Sequence, residues 1–113
     1  MSRVELGQFK QQFMIINNQV NHEIFGRGLR KQKVYIIEDK IFIIAENQRV
    51  PALATLDRQG IPTREIDLVL LDTYKARLKE LVENKLGLRV KTVLKDYDPV
   101  NEISGNILII EES

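Results

Sequence analysis

The order of apolar and polar positions predicts a long helix at the start of the chain. Six apolar residues recur at spacings of three or four, which places them on one face of a helix. These residues are Leu6, Phe9, Phe13, Ile16, Val20 and Ile24. Ser2 and Glu5 have the spacing of a capping box, and Gly26 is a residue type that often ends a helix. We therefore predict a helix over residues 3–25. Its outer side carries Gln11, Asn18 and His22.

A second helical stripe lies between Thr63 and Gly87. Its apolar positions are Ile66, Leu70, Leu71, Tyr74, Leu78, Leu81, Val82 and Leu86. We expect Thr63 to cap this helix and Gly87 to end it. Leu68 and Val69 widen the apolar arc at its start, so we expect this end to meet a partner or the preceding loop.

Residues 46–63 give mixed signals and predict an irregular connection. Pro51 suits the first position of a helix, so a short helix is expected from Pro51 to Asp57. Gly60 and Pro62 then break it.

Residues 34–45 predict a β-hairpin, because two runs of β-branched and aromatic residues flank a polar break at 38–40. The runs do not alternate between apolar and polar, as the neighbours Tyr35 and Ile36 show. Both faces of such a sheet need cover. Since the chain offers only two long helices, we expect a second copy to cover the other face, and hence a homodimer.

Residues 88–95 predict a third strand with one buried face and one basic, exposed face. The predicted buried side carries Leu88, Val90, Thr92 and Leu94. The predicted exposed side carries Arg89, Lys91, Val93 and Lys95. Residues 96–99 are expected to open a connection, and residues 107–110 to form the fourth strand. The order is α-β-β-(short α)-α-β-β, which indicates a single α+β domain over 1–113: two layers, with a mainly antiparallel four-stranded sheet and two long helices.

Composition narrows the chemistry. The 113 residues contain no cysteine, which excludes disulfides, thiolate metal sites and a cysteine nucleophile. No apolar run approaches the roughly 18 residues that span a bilayer, so we expect a cytoplasmic protein, with a position peripheral to a membrane as the alternative. The net charge of +1 conceals a polarised chain. Residues 1–33 carry six basic and two acidic residues, a net charge of +4, and residues 34–113 carry eleven and fourteen, a net charge of −3.

The segment 26–33 follows the first helix and is rich in glycine and basic residues. Its candidate anion- or partner-binding residues are Gly26, Arg27, Gly28, Arg30 and Lys31. Paired N–H donors in such a loop could hold a small anion or an acidic protein surface. The alternative is a helix C-cap with basic residues placed at the negative end of the helix.

Asp96 and Asp98 are the other candidates, because carboxylates at this spacing in a loop could bind a hard cation or act as acid and base. The alternative is an Asx-type turn that leaves a strand. His22 is the single histidine and is expected to be an ordinary exposed residue. Because no catalytic or metal-binding signature is present, we expect no enzymatic activity and no cofactor. Nucleic-acid binding is disfavoured as well, since the strands lack a surface of stacking aromatics.

The whole chain resembles a known family. The run Gly-Arg-Gly-Leu-Arg-Lys-Gln-Lys-Val-Tyr-Ile-Ile-Glu-Asp-Lys-Ile-Phe-Ile-Ile, the helix end Leu-Gly-Leu-Arg-Val and the final Ile-Leu-Ile-Ile carry the resemblance. It extends from about Glu5 to Glu111, although Leu29 stands where the family commonly has proline. The family consists of small, mostly bacterial domains named after MpsC, a component of a sodium-translocating system that generates a membrane potential. The resemblance implies a non-catalytic accessory or regulatory protein beside a membrane cation or inorganic-carbon transport system, with transport subunits as partners.

Overall fold

The structure, a computed structural model, describes residues 2–111, and its elements follow the predicted order. The helices are α1 (Arg3–Phe25), α2 (Pro51–Arg58) and α3 (Arg64–Leu86). The strands are β1 (Lys31–Ile37), β2 (Lys40–Glu46), β3 (Val90–Asp98) and β4 (Ile103–Ile110). The prediction of an α+β, two-layer architecture is therefore confirmed. Met1, Glu112 and Ser113 of the predicted domain 1–113 lie outside the described residues.

The four strands form one antiparallel sheet in the order β1-β2-β4-β3. One face of this sheet packs against α1 and α3. The core between the layers contains Phe13, Ile16, Val20, Tyr74, Leu78, Val82, Val34, Ile43 and Leu108. We call this the covered face of the sheet, and the opposite side the open face.

The helix ends follow the predicted signals with one exception. The Ser2 hydroxyl accepts a hydrogen bond from the Glu5 amide at 3.1 Å, and Gly26 and Gly87 end their helices in the left-handed conformation. Thr63 is the N-cap residue of α3, as predicted, but its side chain does not form the expected capping hydrogen bond. Its hydroxyl contacts the carboxylates of Asp57 and Asp67 instead of a backbone amide.

The predicted faces of β3 are confirmed at Val90 and Lys91 and are wrong from Thr92 onward. The pairing of β3 with β4 shifts register between Val90 and Thr92, and such a bulge reverses the alternation of side chains beyond it. Val93 is 8% exposed and faces the helices, whereas Leu94 is 49% exposed on the open face. Lys95, expected on a basic outer surface, lies on the covered face. The strand also extends through Asp98, and β4 begins at Ile103 instead of residue 107.

The middle of the open face is apolar, and charged residues lie around it, among them Lys40 and Glu46 of β2. Its central row, in cross-strand register, contains Tyr35, Phe42, Ile107 and Leu94. Ile37, Ile44 and Ile109 flank this row. Tyr35, Ile37, Ile44 and Leu94 are between 45% and 57% exposed. The predicted two-sided apolar character of the hairpin is thus confirmed, and within residues 2–111 the second side has little cover.

Candidate functional site

An open cleft of about 510 Å³ lies where the end of α1, the segment before α2, the start of α3 and β3 meet. Its apolar lining includes Phe25, Val50, Leu53, Leu68, Leu71 and Pro99. The sequence predicted that the start of α3 meets a partner or the preceding loop. Residues before α3 indeed form the wall of the cleft opposite the start of this helix. The remaining lining residues are polar or charged, and a cavity of this size that combines apolar walls with polar groups can hold a small molecule.

Lys95 is the unusual residue of this cleft. Its Nζ atom is buried and has no hydrogen-bond partner among residues 2–111. It lies 3.5 Å from the centroid of the Tyr74 ring and 5.6 Å from that of the Phe25 ring. Burial lowers the pKa of Lys95 to about 7, because removing an ammonium from water disfavours its charged form. The two ring faces attract the ammonium and so oppose part of this effect.

A row of buried polar side chains runs beside Lys95. The Tyr74 hydroxyl donates a hydrogen bond to Asn17 Oδ1 and accepts one from Asn106 Nδ2 at 2.6 Å. Burial raises the pKa of Tyr74, so this phenol stays protonated. Asn106 Oδ1 has no partner within residues 2–111. Asn106 is the cross-strand neighbour of Lys95, so an unpaired donor and an unpaired acceptor lie on adjacent residues.

The polar row continues toward the mouth of the cleft through Asn47. The amide of Asn47 donates to Asn21 Oδ1 at 2.8 Å, and its side-chain oxygen accepts from the Ser104 hydroxyl at 2.6 Å. Its backbone carbonyl accepts from the Tyr97 hydroxyl at 2.8 Å. Burial, followed by the nearby Glu102 carboxylate, raises the pKa of Tyr97 to about 12. These contacts hold the segment before α2 against both α1 and the sheet.

Arg49 links α2 and α3, which form two walls of the cleft. Its guanidinium donates to Asp67 at 2.7 and 3.0 Å, to Asp57 at 2.9 Å, and to the Thr63 hydroxyl at 3.0 Å. The Arg49 side chain is only 10% exposed. The hydrogen bonds that Arg49 donates to Asp67 raise the pKa of Arg49 above its already high value, and Arg49 in turn lowers the pKa of Asp57. Two carboxylates therefore neutralise the positive charge of this arginine.

The predicted basic loop lies beside α1 and the 47–49 segment. Gly26 ends α1, and Gly28 packs so closely on α1 that a Cβ atom there would lie 2.7 Å from His22 Nε2. Arg27 donates a hydrogen bond to Gln48 Oε1, and Arg30 approaches Glu102 at 3.4 Å. Lys31 is exposed at the start of β1. Local packing thus accounts for both glycines, and binding by this loop stays a prediction.

The prediction of a loop at Asp96 and Asp98 is wrong, because both residues belong to β3. Asp98 Oδ1 accepts hydrogen bonds from the amides of Val100 and Asn101 at 3.0 and 3.2 Å, which is the Asx-type turn of the alternative. The bond from the Asn101 side chain is the main cause that lowers the pKa of Asp98. Across residues 2–111 no cluster of three or more His, Asp or Glu side chains could hold a metal ion.

Sequence reasoning missed Lys95 and Arg49, the two cations that shape the cleft. For Lys95 the available signal was the pair of adjacent apolar residues Val93 and Leu94, which break the alternation and are compatible with a bulge. For Arg49 no local signal exists, since its acceptors lie 8 and 18 residues away on two other elements.

Comparison with known proteins identifies the family. None of the helices in the described part of the chain is long and apolar enough to cross a membrane. Neither a curated protein nor a solved structure shows significant similarity to the chain. A family model described as "Na+-translocating membrane potential-generating system (MpsC)" matches residues 5–112, nearly the whole length. The chain therefore belongs to the MpsC family.

Proposed function

We propose that this domain is a non-catalytic accessory or regulatory protein that acts as a homodimer beside a membrane cation or inorganic-carbon transport system. Membership in the MpsC family supports the association with a sodium-translocating system. The observation that carries the proposal is the open face of the sheet, which has the chemistry of an assembly surface. A cytoplasmic position at the membrane surface is part of this proposal.

Apolar side chains dominate the middle of the open face. Contiguous apolar surface of this kind is rare on monomeric proteins unless it binds something. Phe42 and Ile107 occupy the two central strands, and Tyr35 and Leu94 the two edge strands, in one register row. Burying this row against a second copy would remove four large apolar side chains of each copy from water.

The charges at the edges of the open face favour a second copy as the occupant. Lys31 and Lys33 lie on the β1 edge, and Asp96 and Asp98 lie on the β3 edge in the same register rows. A two-fold axis parallel to the strands places the β1 edge of one copy over the β3 edge of the other. Lys33 of each copy then lies opposite Asp96 of the other, so the face is complementary to itself, as an isologous dimer requires.

The first experiment tests the assembly surface. Light scattering should give twice the 13.1 kDa chain mass, and Ile44→Lys should shift the protein to the monomer. Val69→Lys is the matched control, because Val69 is also an exposed apolar residue, 64% exposed, but lies on α3. A wild-type mass of one chain at every concentration would overturn the dimer, and dissociation by Val69→Lys but not by Ile44→Lys would move the interface to α3.

The orientation of the two copies has its own test. Lys33→Glu and Asp96→Lys should each weaken the dimer by about tenfold, because like charges then meet across the interface. The double variant restores opposite charges and should recover most of the affinity. Additive weakening in the double variant would contradict the proposed axis.

The basic loop is the proposed contact for an acidic surface on a transport subunit or for a small anion. Replacing Arg27, Arg30 and Lys31 by alanine should weaken such binding. The melting temperature should hardly change, because the contacts of these side chains within the chain are few and solvent-exposed. An unchanged affinity for the partner that wild-type protein captures would remove the loop from the proposal.

A further inference from the structure

We propose that the cleft between α2, α3 and β3 binds a small organic monocarboxylate with an apolar body, and that Lys95 is the residue that anchors its carboxylate. This site is separate from the open face and from the basic loop. It therefore goes beyond the accessory role and does not depend on dimer formation.

The unpaired ammonium of Lys95 points to an anion. Its Nζ atom is buried without an acceptor among residues 2–111, and a buried charge without a counter-ion is unfavourable. A ligand carboxylate would supply both the opposite charge and a charge-assisted hydrogen bond. The resting position over the Tyr74 ring gives the ammonium only the weaker attraction of an aromatic face.

The rest of the cleft restricts the charge and shape of the ligand. Arg49 already faces two carboxylates, which leaves Lys95 and the exposed Arg64 as the cations that line the cleft without an ion pair in residues 2–111. Asp67 also lines the cleft and disfavours a highly charged anion such as a phosphate dianion. The walls at Phe25, Leu53 and Leu71 offer apolar contact for the remainder of the molecule.

Binding requires a small movement of Lys95. Its four-carbon stem is flexible, so the ammonium can turn from the Tyr74 ring into the cleft. The side chains that face it from α1, α3 and β4 are Phe25, Tyr74 and Asn106, and none is charged, because burial raises the pKa of the Tyr74 phenol. The ligand carboxylate favours the protonated lysine, so binding takes up a proton at neutral pH. Because burial holds the pKa of the free Lys95 at about 7, the affinity should fall as the pH rises above 7.

The experiment compares an anion with its neutral isostere. Isothermal titration calorimetry at pH 6.5 uses 3-phenylpropionate, octanoate and 3-phenylpropionamide as probes. We expect at least one of the carboxylates to bind. We expect the amide of 3-phenylpropionate to bind at least about tenfold more weakly than the acid, because it lacks the charge that Lys95 pairs with. Repeating the titration at pH 8.5 should weaken the carboxylate by about tenfold and leave the amide unchanged.

Two variants connect the binding to Lys95. Lys95→Met should weaken the carboxylate by about tenfold and remove the dependence on pH. Lys91→Met is the matched control, since Lys91 is an exposed lysine of the same strand, and it should bind as the wild type does. Three outcomes overturn the proposal: neither carboxylate binds at about 10 mM, acid and amide bind equally, or Lys95→Met binds like the wild type. The first two are measured on the wild type and do not depend on any variant folding.

Discussion

Each face of the sheet departs in one respect from the usual distribution of polarity. The covered face, packed under α1 and α3, contains Lys95, Asn106 and Ser104 among its apolar residues. The open face exposes Tyr35 and Leu94 in an apolar row. Burying polar groups costs free energy unless each finds a partner, and exposing apolar groups forgoes the stabilisation that burial gives. Within one chain, the covered face therefore has buried polar atoms without a partner, and the open face has apolar side chains without cover.

The two faces lack different kinds of contact. On the covered face nearly all polar atoms are paired, and the exceptions, Lys95 Nζ and Asn106 Oδ1, lie on neighbouring residues. A small molecule could supply hydrogen bonds to these two atoms. On the open face a broad apolar area with charged edges lacks cover, and another protein surface could provide it. The comparison therefore favours a ligand inside and a second copy outside.

The largest predicted effect concerns Lys95 on the covered face. Burial lowers its pKa from 10.5 to about 7, so between these values the unfolded chain binds the proton and the folded chain does not. Stability should therefore rise with pH in this window, by about 3 kcal/mol from pH 7 to pH 9.5 at 1.36 kcal/mol per pH unit. Below pH 7 Lys95 is protonated in both the folded and the unfolded chain, so the full cost of burying its charge lowers the stability. Urea unfolding of dilute protein at a series of pH values measures this slope.

Lys95→Met should remove the rise, because no titrating group remains at this position. It should also be more stable than the wild type at pH 6.5, since a buried unpaired charge is replaced by an apolar side chain of similar length. Lys91→Met should keep the wild-type slope. Measurements stop at pH 9.5 because burial also raises the pKa of Tyr74, which makes stability fall once the unfolded phenols ionise near pH 10. A slope that persists in Lys95→Met would show that another group titrates.

The contrast between the faces also explains what the sequence could predict. Helix ends follow from residues close in the chain, such as Ser2 with Glu5 and the glycines after each long helix, and these were predicted correctly. One bulge after Val90 decides which residues of β3 lie on the covered face and which on the open face. This bulge arises from pairing with β4 and has only a weak signal in the local sequence. A shift of one residue moved Lys95 from an expected basic surface into the cleft.

The candidate site depends on contacts that are remote in the chain. Tyr74 joins Asn17 and Asn106, which are 57 and 32 residues away, and Arg49 joins two acidic residues on different helices. Periodicity describes which side of an element is apolar, but it does not say which polar residues of separate elements will meet. The basic loop, in contrast, was visible because its glycines and arginines are contiguous.

A smaller effect is expected from the hydrogen-bonded row on the covered face. Tyr74→Phe should lower the free energy of unfolding by about 1–3 kcal/mol, because Asn106 Nδ2 would lose its acceptor and Asn17 Oδ1 a donor in a buried environment. Tyr35→Phe makes the same chemical change on the open face, where Tyr35 is 45% exposed, and should change stability by less than about 0.5 kcal/mol. Urea unfolding of the two variants compares the faces directly, and equal losses would remove the distinction between them.

The smallest effect on the single chain is expected from Leu94→Thr on the open face. Threonine suits a strand, and Leu94 is 49% exposed, so the dilute monomer should lose no more than about 0.5 kcal/mol. Val93→Thr, one residue earlier, places a hydroxyl at an 8% exposed core position and should cost about 1–3 kcal/mol. Raising the protein concentration should stabilise the wild type by mass action but stabilise Leu94→Thr less, because its dimer is weaker. If Leu94→Thr cost as much as Val93→Thr in dilute solution and concentration had no effect, the open face would be covered within one chain, and its proposed use as an assembly surface would be wrong.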